Sequence, residues 1–489
     1  MKMRSYNFCH TNTKNPGNNL GIFCLITGRP KLNGYELTKK KRKNMHAGTD
    51  NYTYLTTAPI RRVIPTMAIP TIISMLVTAL YNMADTFFVG KLDTQSTAAV
   101  GVVFSMMFFV QACGFFFGHG SGNYISRELG ARRHDNAARM AATGFCFSVM
   151  AGAVITLMGW LFIDPLSLLL GATPTILPHT RQYLGIILFG APFLTGSLTL
   201  NNQLRLQGNA SFAMVGIVTG AILNVGLDPL FIFVCHWGVA GAALATVTGQ
   251  VVSFLILFFM TRRGENIAIR FRLFSPSWSA FKEIFFGGSP SLCRQGLLCL
   301  ATMMLNHAAG NYGDAAIAAM SIVNRITMMV MAVVIGLGQG FQPLCGFCFG
   351  ARLIPRLKRA YWFTIAVGTV FLIICTVFGW LLSDHLIGIF RDDAEVIAIG
   401  IVALRWQIST LPLNSFIMTS NMLTQTCRKP VAANLLASAR SGLFFVPLIL
   451  ILPHFFGLMG VEMCQAVSDF CSFTLSVPVM AHTLKHLQQ

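Results

Sequence analysis

The sequence predicts an all-α integral membrane protein of twelve transmembrane helices, arranged as two six-helix lobes. Three observations carry that prediction. Apolar residues make up 54% of the 489-residue chain and charged residues only 11%, with a mean hydropathy of +0.62. A soluble domain averages about 25% charged residues, so this chain has too few charges to cover a water-facing surface. Long apolar runs recur along it, and ~20 residues at ~1.5 Å each cross a ~30 Å hydrocarbon core. The two halves also repeat each other at an offset of about 220 residues.

Taken in order, residues 1–59 form a basic tail. Residues 1–62 hold twelve Lys/Arg against Glu36 and Asp50. Leu20–Thr27 is too short an apolar patch, and too far along, for a signal peptide. The run Lys39–Lys43 suits an anionic lipid surface, and a start of translation at Met45 is the alternative reading of residues 1–44. Six runs follow near 63–84, 98–120, 138–163, 182–202, 211–234 and 238–261, giving an amino-terminal lobe over 60–262. A basic connector covers 263–283. Six more runs lie near 284–307, 316–341, 360–383, 396–420, 431–453 and 458–481, giving a carboxyl-terminal lobe over 284–489. Gly, Pro and charge clusters supply the breaks. Ten-residue segments of alternating polarity are missing, which argues against an outer-membrane barrel.

The net charge of +19 is distributed by loop rather than gathered into a nucleic-acid patch. Outside the tail it falls in alternate loops, with Arg127, Arg132, Arg133 and Arg139 after the second run. Arg262, Arg263, Arg270, Arg272 and Lys282 follow the sixth, Arg352, Arg356, Lys358 and Arg359 the eighth, and Arg428 and Lys429 the tenth. The other loops carry Asp93, Asp164, Asp314, Asp384, Asp392 and Asp393, with Lys91 and Arg391 the main cations. Positive charge marks the cytoplasmic side, so both termini are expected inside.

The repeat is built from many small matches in chain order. Gly159-Trp160-Leu161 with Asp164 recurs as Gly379-Trp380-Leu381 with Asp384; Pro70, Pro192 and Asn201 recur as Pro290, Pro412 and Asn421. Leu129-Gly-Ala-Arg132 echoes Phe349-Gly-Ala-Arg352, and Gly118-x-Gly120-x-Gly122 is matched to Gly336-x-Gly338-x-Gly340 at an offset of 218. Each half has an even number of spans, so the halves are parallel repeats, an arrangement common in secondary transporters with sites near the repeat interface. The glycine sets lack the Lys-[Ser/Thr] ending of a phosphate loop, so an ion gradient is the expected energy source. The thirteen Cys are scattered, and Cys345-x-x-Cys348 stands at a helix end without a second pair, which reads as small packing residues rather than metal or redox chemistry. No pairing of base and nucleophile is visible, so the chain does not read as an enzyme, and no cofactor is expected.

Asp228 carries the most information. An ionisable side chain inside a span is by default a functional group. Asn224 is four residues earlier on the same helix face. The topology puts Asp85, near the outer end of the first span, and Thr246, two turns into the sixth, at similar depth. Four oxygen-bearing side chains on three helices suit a proton or a hard cation such as Na⁺. A buried structural hydrogen bond at Asp228, a capping role for Asp85 and helix contact at Thr246 are the plainer alternatives.

Several motifs then fall in one order: Asn202-Gln-Leu-Arg205-Leu-Gln207-Gly208-Asn209, Asn224-x-x-x-Asp228-Pro229, and Gly238-x-x-Gly241-Ala-Ala with Thr246. Met83-Ala-Asp85-Thr, Gly130, Gly340-Phe-Gln342-Pro343 and Gly350 join them. Over roughly 55–485 the chain resembles the multidrug and toxic compound extrusion (MATE) family, in its bacterial MepA-like efflux branch. The resemblance implies two six-helix lobes around a central cleft and cation-coupled efflux. It carries the amino-terminal-lobe cation site onto Asp85, Asn224, Asp228 and Thr246. Some members use acids in the seventh and tenth spans. Here those spans hold Arg294, Gln295 and His307, and Asn414, without an acid.

In the second lobe, Glu462 and Asp469 lie seven apart on the twelfth span. A second proton site is one reading, and pairing of Asp469 with Arg440 or Arg405 is the other. Asn201, Asn202, Gln295, His307 and Asn414 are candidates for a substrate cleft, with Met106, Met107, Phe108, Phe109, Met303, Met304, Met328, Met329 and Met331 as adaptable apolar lining. The expected activity is export of lipophilic or cationic drugs in exchange for H⁺ or Na⁺ by rocking of the lobes. A flippase for a lipid-linked oligosaccharide is the alternative, kept open by Arg294, Arg325, Arg405 and Arg440. The expected partners are small-molecule organic cations or other amphipathic drugs and membrane lipid, with no nucleic acid. The expected form is a monomer in the bacterial inner (plasma) membrane.

Overall fold

Where residues are this apolar, backbone N–H and C=O groups must be satisfied within each segment, and the chain answers with helices. The computed structural model describes residues 51–92, 94–390 and 393–487. The readings made for residues 1–50, Asp93, Arg391 and Asp392 lie outside them. After a short α1 (Asn51–Thr57), the first lobe comprises α2 (Ile60–Val89), α3 (Thr94–Gly130), α4 (His134–Leu161), a short α5 (Ile163–Leu169), α6 (Leu177–Leu206), α7 (Ala210–Pro229) and α8 (Gly238–Met260). A π-helical turn, Leu230–Val234, extends α7 directly after Asp228-Pro229. The second lobe repeats the plan with α9 (Trp278–Gly310), α10 (Asp314–Gly350), α11 (Ile354–Leu381), a short α12 (Ser383–Gly388), α13 (Ala394–Ser409), α14 (Leu411–Thr426), α15 (Pro430–Ser438), α16 (Phe445–Phe456) and α17 (Leu458–His486). A second π-helical turn, Ala439–Leu443, joins α15 to α16.

Counting α13 with α14, which bend by 49° at Thr410, and α15 with α16, these are twelve rods in two lobes of six. Among the described residues nine helices are long and apolar enough to cross a membrane, ten with the bent pair. The two that fall short, α9 and α17, are 33 and 29 residues long. They carry Arg294 and Gln295, and Glu462, Gln465 and Asp469. Their length is that of a span, and their polar residues lower their hydropathy.

The repeat is visible in backbone geometry. Arg132 and Arg352 both adopt φ 59°, each ending a helix in the left-handed conformation. Arg133 N–H bonds Glu128 C=O at 2.8 Å, and Leu353 N–H bonds Cys348 C=O at 2.7 Å, the outer bond of a Schellman turn. Asn201 Nδ2 donates to Ala213 C=O at 2.9 Å and Asn421 Nδ2 to Ala433 C=O at 2.8 Å. Thr156 and Thr376 hydroxyls likewise donate to the carbonyls of Leu188 and Ile408. Asn201 is therefore a clamp between neighbouring helices of its own lobe.

The glycine sets correct the sequence alignment. Gly118 lies against Asn202 and Gly338 against Met422, within their lobes, whereas Gly120 lies against Ile284 and Gly340 against Ala68, across the lobes. The equivalences are thus Gly118 with Gly338 and Gly120 with Gly340, an offset of 220 rather than 218. The partner of Gly122 is Gln342. The same symmetry appears where α3 and α10 end. A Cβ on Gly130 would strike the carbonyl of Phe347, and one on Gly350 the carbonyl of Arg127.

These cross-lobe approaches join α2 to α10 and α3 to α9, in the half of the bundle nearer the basic loops. The cross-lobe hydrogen bonds among the described residues gather in the same half. Thr426 Oγ1 donates to Asn123 Oδ1 at 3.0 Å, Arg127 Nη1 to Thr426 C=O at 2.9 Å, and Arg205 Nη1 to Gln339 C=O at 2.6 Å. At the basic rim Glu283 accepts from Arg127 at 3.1 Å and is also paired with Arg428. The lobes are closed at this end.

Candidate functional site: an enclosed oxygen cluster in the first lobe

Near the other end of the first lobe, four helices turn oxygen atoms toward one another. Asp85 on α2 is 3% exposed, Asn224 and Asp228 on α7 are 2% and 0%, and Thr246 on α8 is 4%. Asn224 Nδ2 donates to Thr246 Oγ1 at 3.3 Å. The four residues selected at the sequence level are therefore all buried, and Asn224 and Thr246 touch. Asp85 and Asp228 are close enough for the charge of one to act on the other, and both act on the hydroxyls of Tyr81 and Tyr183. Tyr183, fully buried on α6, and Tyr81 on α2 escaped the sequence reading. Tyr81 precedes Asp85 by four residues on one helix face and was legible by that spacing; the helix of Tyr183 carries no acid, and only the fold brings that residue here.

The informative feature is what these oxygens lack. Both Asp228 oxygens, Asp85 Oδ1 and Asn224 Oδ1 are buried without a hydrogen-bond partner, and the Tyr183 hydroxyl faces Thr246 beside them. An ionised carboxylate only accepts, so each oxygen needs a donor or a cation. Among the described residues neither carboxylate takes part in an ion pair. Two like charges in an apolar wall without a counter-ion cost several kcal/mol. A structural hydrogen bond at Asp228 is therefore not what the geometry contains. The donor set is all oxygen, suited to a proton or a hard cation. The π-helical turn after Pro229 frees α7 from regular bonding next to the site, and such turns recur at functional positions.

The second lobe treats its buried acid differently. Asp469 Oδ1 accepts from Arg440 Nε at 2.8 Å and from Gln465 Nε2 at 2.8 Å, and its Oδ2 from Asn414 Nδ2 at 2.7 Å. This is the geometry of a satisfied ion pair. Arg440 belongs to the second π-helical turn. Glu462 is 6% exposed and stands outside this network.

The candidate cleft residues separate. Asn414 and Asn201 bond within their own lobes. Asn202 Oδ1 accepts from Arg205 at 2.5 Å, and Gln295 Nε2 reaches Gln111 Oε1 across the lobes at 3.5 Å. His307 is exposed near the far end of α9. Met106 and Met331 are core residues, whereas Met303, Met328 and Phe109 are exposed. Asp85 and Asp228 are buried among helices of the first lobe. Between the lobes, inward of the Arg127–Glu283 pair at the basic rim, stand Arg205 and Arg294. Arg205 lies in a motif singled out above, at the basic end of its span, and Arg294 is one of the arginines that kept the flippase alternative open.

A duplicated six-helix bundle spanning the membrane, with an enclosed oxygen site in one lobe, defines the class of multi-pass membrane transporters. The chain belongs to the MatE family, whose model matches residues 70–230 and 290–451, once per lobe and about two thirds of the chain. It is 26% identical over 412 residues to the multidrug export protein MepA of Staphylococcus aureus (strain MSSA476), covering 83% of this chain and 90% of that one. MepA of Staphylococcus haemolyticus (strain JCSC1435) is 25% identical over 424 residues, covering 86% and 93%. The solved outward-facing conformation of a multidrug resistance MATE family transporter of the MOP superfamily superposes with a TM-score of 0.85 at 28% identity, over 90% of this chain and 99% of that one. A MOP superfamily transporter from Pyrococcus furiosus Vc1, described as having a binding pocket of reverse polarity, superposes with a TM-score of 0.84 at 28% identity, covering 90% and 99%.

Proposed function

We propose that this protein is a secondary active antiporter that exports amphipathic, drug-like molecules in exchange for H⁺ or Na⁺. The observation that carries the proposal is the set of unpartnered oxygens of Asp85, Asn224 and Asp228 in a sealed part of one lobe. A cation there neutralises carboxylates that otherwise bear a desolvation penalty. It drives transport only if its affinity differs between the two lobe arrangements, and the bend potential of α7 at Pro229 supplies a way for the site to differ. The multidrug export named for the relatives supports the substrate class. The basic loops support an orientation with both termini cytoplasmic in the bacterial inner membrane. The closed basic end then gives an outward-open cleft, the state named for the solved relative. Asp469, already neutralised by Arg440, serves as an anchor for the second π-helical turn.

The test is transport of a fluorescent amphipathic dye in vesicles, with pH and Na⁺ gradients imposed separately. The account expects one of the two gradients to drive accumulation. Dye movement indifferent to both, or dependent on ATP, would sink it.

A further inference from the structure

We propose that the floor of the inter-lobe cleft is a binding subsite for the acid group of a transported amphipath, formed by Arg294 with Arg205 behind it. The proposal rests on the transporter reading above and specifies its substrate. Arg205 is 1% exposed, and its bonds all run to neutral groups. Nη1 donates to Gln339 C=O at 2.6 Å and Gln342 Oε1 at 3.0 Å, Nη2 donates to Asn202 Oδ1 at 2.5 Å and lies 3.3 Å from His119 Nε2, and Nε has no partner. Arg294, in the middle of α9 and half-buried, donates Nη1 to Asn421 Oδ1 at 3.3 Å. It stands one turn beyond Ser291, whose hydroxyl meets His119 Nδ1 at 3.2 Å. The two guanidinium groups are near enough to act on each other.

Neither arginine has a carboxylate partner among the described residues. Among the described residues the acids lie elsewhere: Asp469 pairs with Arg440 and half-buried Glu283 with Arg127 and Arg428, Asp85 and Asp228 belong to the first-lobe site, and Glu462 stands near the start of α17. Two uncompensated guanidinium groups in a low-dielectric floor are costly to keep and strongly favour an incoming anion. A guanidinium fork matches the planar oxygens of a carboxylate, sulfonate or phosphate ester. The tilted Phe115–His119 contact, at 5.5 Å between ring centroids, places an apolar surface beside it. An oxyanion head on an apolar body is the chemistry that fits. An organic acid and an anionic lipid both have it.

The experiment measures binding to the purified full chain by fluorescence anisotropy, using a carboxylate dye and its neutral methyl ester, in zwitterionic phosphatidylcholine and again with phosphatidylglycerol added. The acid should bind roughly 10- to 100-fold more tightly than the ester. Arg294→Gln should abolish that preference by bringing acid binding down to the level of the ester, and Arg294→Lys should restore part of it. Displacement of the dye by phosphatidylglycerol would identify lipid as the source of the anion; indifference to it would identify the soluble acid. Wild-type protein that binds acid and ester equally, or Arg294→Gln that weakens both alike, overturns the proposal, and the wild-type comparison holds even if the variant misfolds. Gradient-driven export of a neutral dye without acid preference would leave the antiporter reading standing and this one fallen.

Discussion

Asp228 and Asp469 are both buried carboxylates on membrane helices, and the groups around them assign opposite roles. Asp469 has a guanidinium and two amide donors; Asp228 has none. Breaking a buried pair by removing one partner costs about 3–5 kcal/mol, so Asp469→Ala should lower the midpoint of thermal unfolding in detergent markedly. Asp228→Asn removes an uncompensated charge beside Asp85, and its unfolding midpoint should stay level or rise although transport is lost. A fall as large as that of Asp469→Ala would mean that Asp228 is structural. Tyr183→Phe keeps the ring and deletes one buried oxygen of the site; the coupling ion should then bind several-fold more weakly, read as a higher ion concentration for half-maximal transport. The sequence contained Asp228 and Asn224 as a pair because helical spacing is local. It did not contain Tyr183, whose place depends on how α6 packs against α7 and α8.

At the scale of elements, long apolar runs and the Gly, Pro and charge clusters between them were enough to place all twelve rods. Their ends were legible only where a chemical signal stood. Arg132 and Arg352 occupy left-handed positions that glycine usually takes, so residue type alone did not mark the turn. The glycine sets aligned two residues out of register because identity, not contact, guided the match. Contact shows that Gly130 and Gly350 let α3 and α10 approach backbone to backbone. Gly350→Val should wedge the basic end apart. With the native cysteines replaced, a cysteine at Ser291, 1% exposed in the parent, should become reactive to a membrane-impermeant maleimide from the basic side. Unchanged protection would show that the α3–α10 contact does not hold the lobes shut.

For the molecule as a whole, the duplicated chain builds two lobes that share a plan and divide the chemistry. The first keeps an unsatisfied acidic site, the second a neutralised one, and positive charge lies between them. This division was not legible beforehand because equivalent sequence positions do not carry equivalent residues: Asp85 and Asp228 have no acidic counterparts about 220 residues on. The account's central claim is that the first-lobe site couples the ion to transport. It is tested most directly by gradient-driven dye accumulation in vesicles holding equal amounts of wild-type and Asp228→Asn protein. Wild type should accumulate dye and Asp228→Asn should match protein-free vesicles while still binding the dye. Accumulation by Asp228→Asn at the wild-type rate would contradict the claim.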